Sequence, residues 1–183
     1  TVIATTCQTV GVLVIVAAAG GWPDGWAAVL VWSWLGSQAA NLYVVGLNQL
    51  TDAPIDRLNK PGLPLAAGDL SPRAAVGLVV AAAVAALLIG ASQSLALALT
   101  LAAVMGLGTV YSLPPWRLKG RPVWAAITIA LARGLIANLG LYVHYRHALL
   151  GFAPPDAPPV WALLFFFGFG LVIALFKDIP DHD

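Results

Sequence analysis

Residues 48–56 read Asn-Gln-Leu-Thr-Asp-Ala-Pro-Ile-Asp, so Asn48, Asp52 and Asp56 recur every four positions. On an α-helix, at about 100° per residue, they share one stripe, and Gln38 and Asn41 fall close to it further back. Two carboxylates one turn apart repel each other unless a cation sits between them. A divalent cation with oxygen ligands, Mg2+ above all, is the natural occupant, because it takes one or two carboxylates together with phosphate oxygens. A second acidic group closes the chain: Lys177-Asp178-Ile179-Pro180-Asp181, with the two aspartates three apart. Between the two lies a short basic stretch, Tyr111-Ser-Leu-Pro-Pro-Trp-Arg117-Leu-Lys119. With Arg57 and Lys60 it offers cations for a diphosphate, arginine as a two-pronged fork and lysine as a point charge.

Each of these residues also has a plainer reading. A lone aspartate beside a membrane is most often a helix cap or a solvated loop residue, and Arg117 and Lys119 taken singly serve topology as readily as binding. Pro54 is expected to remove a main-chain hydrogen bond and kink the helix, which makes Asp56 a less secure member of the stripe. Arg133 resists the plain reading. It falls near the middle of an apolar run, where an unpaired charge costs about 2.5–3.5 kcal/mol, so it must face a partner or a polar cavity. Asn138 is about 140° from it on a regular helix, which assigns the two to different neighbours. His144 and His147 lack a third ligand and read as loop or interfacial residues.

The elements that must position these groups are membrane helices. The 183 residues are 60% hydrophobic and 9% charged, with a mean hydropathy of +0.88. A soluble domain is roughly 45–50% apolar and about 25% charged. Apolar runs long enough to cross a bilayer are Val2–Ala19, Ala27–Leu47, Ala74–Gly90, Leu95–Tyr111, Val123–Val143 and Val160–Phe176. The expected fold is therefore an all-α integral membrane protein forming one multi-pass domain over residues 1–183. Threading the chain through these spans puts Arg57, Lys60, Arg73, Arg117, Lys119, Arg121 and Lys177 on one side, with Arg146 opposite and Arg133 within a span. The side rich in lysine and arginine is the cytoplasmic one by the positive-inside rule. Both acidic groups emerge there too, which orientation alone does not require. With one cysteine, Cys7, no internal disulfide is possible. The net charge of +1 carries no basic stripe and gives no sign of nucleic-acid binding.

Asn41-Leu-Tyr-Val-Val-Gly-Leu-Asn48-Gln-Leu-Thr-Asp52, followed by Ile55-Asp56-Arg57-Leu-Asn-Lys60-Pro61, resembles the first motif of the UbiA prenyltransferases, and the homogentisate branch is the nearest match. Tyr111–Lys119, Ala132-Arg133-Gly134 through Asn138, and Phe176–Asp181 follow in the family's order. The resemblance implies a nine-span UbiA-type bundle, of which about six spans are legible here. It also implies that three spans, and the basic segment before the first, are missing from this sequence. It implies Mg2+ held by Asn48, Asp52, Asp56, Asp178 and Asp181, with the four aspartates as the catalytic set. Asn48, Arg57, Lys60, Tyr111, Arg117, Lys119, Arg133, Asn138 and Lys177 would contact a prenyl diphosphate, phytyl or geranylgeranyl, or the aromatic acceptor homogentisate. The implied reaction is ionisation of the allylic C–O bond, attack by the acceptor ring and loss of CO2, as in tocopherol and prenylquinone biosynthesis. The alternatives are another branch of the family, such as a chlorophyll synthase or a quinone-pathway enzyme, an inactive fragment, and, outside enzymes, a small ion-binding transporter.

Overall fold

The computed structural model describes residues 2–151 and, beyond them, Trp161, Leu164, Phe165, Phe167, Gly168, Leu171 and Val172. The described residues are helical apart from short connections. Helix α1 covers Val2–Gly20, α2 Trp26–Asn59, α3 Pro64–Ala67, α4 Pro72–Gln93 and α5 Leu95–Ser112. A single 3-10 turn, Leu118–Gly120, leads into α6 (Pro122–Ile129). The chain then widens into a π-helical segment, Ala130–Ile136, before α7 (Ala137–Leu150).

Local signals explain the starts. Ser71 and Ser94 turn their hydroxyls back to accept from the main-chain N–H of Ala74 and Leu97, satisfying donors that the first helical turn leaves open. Pro72 and Pro122 sit in first turns, where a missing N–H costs nothing.

Among the described residues, three helices are long and apolar enough to cross a bilayer: Pro72–Gln93, Leu95–Ser112 and the continuous run Pro122–Leu150. The first expected span survives as a shorter apolar helix, Val2–Ala18. The second is not among the three, because Gln38, Asn41, Asn48 and Gln49 lower the hydropathy of α2 although it is the longest helix. The sixth, Val160–Phe176, lies largely outside the described residues. With 34 residues at about 1.5 Å each, α2 is about 50 Å long, against roughly 30 Å of hydrocarbon. The stretch from Asn48 to Asn59 continues the same helix as an overhang past the apolar run that ends at Leu47. Pro54 does not stop it. The ring removes one N–H, the neighbouring bonds hold, and Asp52 and Asp56 stay one turn apart on the same helix.

Helix α2 is the hub, packing against α1, α4, α5 and α7. One core joins Val12, Leu13 and Val16 of α1, Ala40 of α2, Ala86 of α4, Leu97, Leu101 and Met105 of α5, and Leu141, Tyr142 and Tyr145 of α7. Lipid tails are as apolar as leucine, so association between such helices depends on close van der Waals approach and on hydrogen bonds. Both are present. A Cβ on Gly108 would meet Val44, one on Gly90 would meet the Ala98 main chain, and one on Gly140 would overlap the Thr100 side chain. The Ser33 hydroxyl lies 2.9 Å from that of Tyr145, which donates to the Thr9 carbonyl at 3.3 Å, tying α1, α2 and α7 together. The outer faces keep Val76, Val80, Leu88, Leu95 and Leu99 exposed, as a bilayer requires.

The far end of α7 departs from expectation. The apolar run ends at Val143 and His144 reads as a loop or interfacial residue, yet the helix runs to Leu150 and buries His144, Tyr145 and Arg146. His144 Nδ1 sits 2.8 Å from Ser94 Oγ. Hydropathy ended the span early because it scores these side chains as polar, although their aromatic and methylene parts pack well.

Candidate diphosphate and metal site

The overhang of α2 carries the site. Thr51 and Asp52 lie one turn past Asn48 on the same face, and the end of α5 with the loop after it folds back over them. That loop is tightly held. Arg117 N donates to Leu113 O at 2.8 Å, Gly120 N to Arg117 O at 3.0 Å and Arg121 N to Leu118 O at 3.0 Å. Arg117 adopts a left-handed backbone with φ of 36°, uncommon for a residue with a Cβ and costing of order 1–3 kcal/mol. The turn delivers two cations to the same carboxylate.

Lys119 Nζ lies 2.7 Å from Asp52 Oδ1, 3.0 Å from Asn48 Oδ1 and 2.6 Å from Thr51 Oγ1. Arg117 Nη2 approaches the same Asp52 oxygen at 3.4 Å. Ser112 Oγ completes the group, 3.4 Å from Asn48 Oδ1. The Lys119 side chain is 10% exposed, Asp52 20% and Arg117 46%. Lysine and aspartate therefore meet in a screened environment where a charge pair counts, while Arg117 remains free to turn toward a ligand. A loop supplying only topology would not bring a nearly buried lysine 67 to 71 positions along the chain onto three oxygens of α2.

The donor set fits a hard cation. It already holds one, the ammonium of Lys119, on carboxylate, amide and hydroxyl oxygens, and Mg2+ takes the same ligand class with phosphate oxygens completing its shell. Asn48, Asp52 and Asp56 are the residues that would hold it from α2. Asp56 is half-buried one turn on. Among the described residues no three Asp, Glu, His or Cys side chains converge. Asp178, Asp181 and Lys177 lie outside the described residues.

The remaining candidates divide. Tyr111 is half-buried beside Ser112 at the end of α5. Arg57 and Lys60 are exposed at the tip of α2, and the Lys60 main chain caps the helix on Asp56 O at 2.7 Å. Arg133 is exposed and makes no side-chain hydrogen bond or ion pair among the described residues. Asn138 is buried, and its amide is engaged by Gln8 and by the carbonyls of Arg133 and Gly134. The two side chains do meet different surroundings, as expected, although the spacing between them is set by the π segment and not by a regular α-helix. Thr51, Ser112 and Gln8 went unnoticed in sequence. Thr51 lay inside the quoted motif at helical spacing from Asn48, so a signal existed.

Further along the same α2 face, Trp34, Gln38, Asn41 and Val45 line a cavity of about 340 Å3 with Val2 and Leu42. Gln38 Nε2 and Trp34 Nε1 both reach Thr6 Oγ1 of α1, at 3.2 and 2.8 Å.

The described residues thus form a helical bundle, with three helices apolar enough to cross a bilayer and an acid–base oxygen cluster at one end of α2. The UbiA prenyltransferase family model matches residues 8–183, and the chain belongs to that family. It is 45% identical over 152 residues to a homogentisate phytyltransferase of Synechocystis, a match covering 82% of this chain and 49% of that protein. It is 41% identical over 168 residues to a wheat homogentisate geranylgeranyltransferase, covering 87% and 41%. A UbiA homologue from Archaeoglobus fulgidus, solved bound to GPP and Mg2+, superposes with a TM-score of 0.70 at 25% identity over 92% of this chain and 58% of that one. The chain thus spans half or less of the length of these curated relatives.

Proposed function

We propose that the protein carrying this chain transfers a prenyl group, phytyl or geranylgeranyl, from its diphosphate to homogentisate, with release of diphosphate and CO2. The observation that carries this reading is the Asn48–Thr51–Asp52–Lys119 cluster, a cation site on a helix overhang, in a chain whose relatives bear homogentisate prenyltransferase names. The cytoplasmic face is the reading that the distribution of lysine and arginine supports.

Asn48, Asp52 and Asp56 present oxygens in one row for the metal, and bound Mg2+ would offset charge on the diphosphate oxygens. Lys119, whose ammonium lies 2.7 Å from Asp52 Oδ1, would donate to a leaving phosphate oxygen. Arg117, already half exposed, supplies a planar fork for a second phosphate oxygen. These groups stabilise the charge that develops as the allylic C–O bond breaks. The electron-rich ring then attacks the allylic carbon, and loss of CO2 from the acceptor accompanies recovery of the aromatic ring.

The test uses the full-length protein in membranes with radiolabelled phytyl diphosphate and homogentisate. Labelled decarboxylated prenylquinol should form, vanish with EDTA and be absent with Asp52→Ala. No transfer to any aromatic acceptor, or undiminished transfer by Asp52→Ala, would overturn the reading.

A further inference from the structure

The π segment Ala130–Ile136 interrupts what would otherwise be one α-helix from Pro122 to Leu150. Its register shows in the Ala137 N–H, which reaches back five residues to Ala132 O. A π turn is rare and needs compensation from its surroundings. Here the compensation comes from two side-chain amides. Gln8 Nε2, on α1, donates to Arg133 O at 2.7 Å and to Asn138 Oδ1 at 2.8 Å. Asn138 Nδ2 donates to Arg133 O at 3.1 Å and to Gly134 O at 2.9 Å. Among the described residues, Gln8 is the one side chain from another helix that hydrogen-bonds this segment.

A π turn inserts an extra residue, so it changes the direction in which the side chains around it leave the helix. Residue 133 then stands about one turn from residue 138 instead of about 140° around from it. The clamp therefore sets where Arg133 points. A guanidinium in mid-span without a partner among the described residues suits an anionic ligand group.

We propose that Gln8 is a positioning residue: by holding the Arg133 carbonyl and the Asn138 side chain together it locks the π register and aims the Arg133 guanidinium at an anionic oxygen group of a substrate. This rests on the reading of Arg133 as a substrate contact. The anionic group is either the diphosphate or the acceptor carboxylate, and separate KM values for the two substrates tell which.

The experiment is a double-mutant cycle in the full-length enzyme, with Gln8→Met as the near-isosteric change that removes the donor. Gln8→Met should raise KM for one substrate, or lower kcat, on the order of 10–100-fold, with membrane yield and melting temperature held. In an Arg133→Ala background the same change should alter kinetics less than about twofold, because the residue it acts through is gone. Gln8→Asn, which keeps a donor on a shorter arm, should restore part of the loss, and it replaces Gln8→Met should that variant fail to accumulate. Full activity of Gln8→Met, or an equal loss with and without Arg133, would overturn the proposal. An Arg133→Ala enzyme with unchanged kinetics would instead overturn the reading of Arg133 on which it rests.

Discussion

Two polar groups in this bundle are built on opposite plans. The Asn48–Asp52–Lys119 cluster is charged, half-open and made across long stretches of chain. The Thr9–Ser33–Tyr145 knot is neutral and closed: all three residues are 0% exposed, and Ser33 Oγ lies within hydrogen-bond distance of both Tyr145 Oη, 2.9 Å away, and its own helix's Val29 O, 2.6 Å away. Burying hydroxyls is tolerable only when they are satisfied, and a satisfied neutral network holds helices in place without inviting a ligand. An ammonium on three oxygens beside an exposed guanidinium is the reverse case, an arrangement whose contacts can be exchanged for those of a polyanion. The difference separates residues that hold helices together from residues left open to a ligand.

The largest effect should come from breaking the charged group at its centre. Asp52→Ala in the full-length protein should lower turnover by roughly 10²–10³ or more while membrane insertion is unchanged, read by product assay beside membrane yield. Lys119→Met should weaken prenyl diphosphate binding by about 1.5–3 kcal/mol, roughly 10- to 100-fold in Kd, measured by titration in detergent. Gly140→Ala strikes the scaffold that both groups share. Its Cβ would overlap Thr100 where α5 and α7 cross, so stability should fall by about 1–3 kcal/mol in thermal unfolding. Tyr145→Phe, in the closed knot, should cost about 1 kcal/mol of stability and leave kcat within twofold of the parent. Reversal of that last pair, with Tyr145→Phe inactive and Lys119→Met merely unstable, would erase the contrast between the two groups.

Much of this was legible beforehand, for reasons that particular residues make plain. The four-residue spacing of Asn48, Asp52 and Asp56 survives because the helix carries through Pro54, and the apolar runs mark α4, α5 and the start of α6 to within a few residues. Lys119 was ambiguous between topology and binding, since sequence cannot show that a turn with left-handed Arg117 folds it onto α2. Hydropathy ended α2 at Leu47 because it measures transfer to lipid, whereas the helix persists through its own hydrogen bonds. The π register left no trace in a periodicity read at 100° per residue. Gln8 is a single amide in an apolar run, and its partners lie 125 and 130 positions away.

The central claim is that the α2 overhang and the Lys119 turn form a metal-assisted diphosphate site. Its most direct test is equilibrium binding of a non-hydrolysable prenyl diphosphate analogue to the full-length protein, with and without Mg2+, for the parent and Asp52→Ala. The account predicts tight binding by the parent that needs Mg2+, and a loss of that Mg2+ dependence in Asp52→Ala. Equal affinity in both proteins, with Mg2+ making no difference to either, would contradict it.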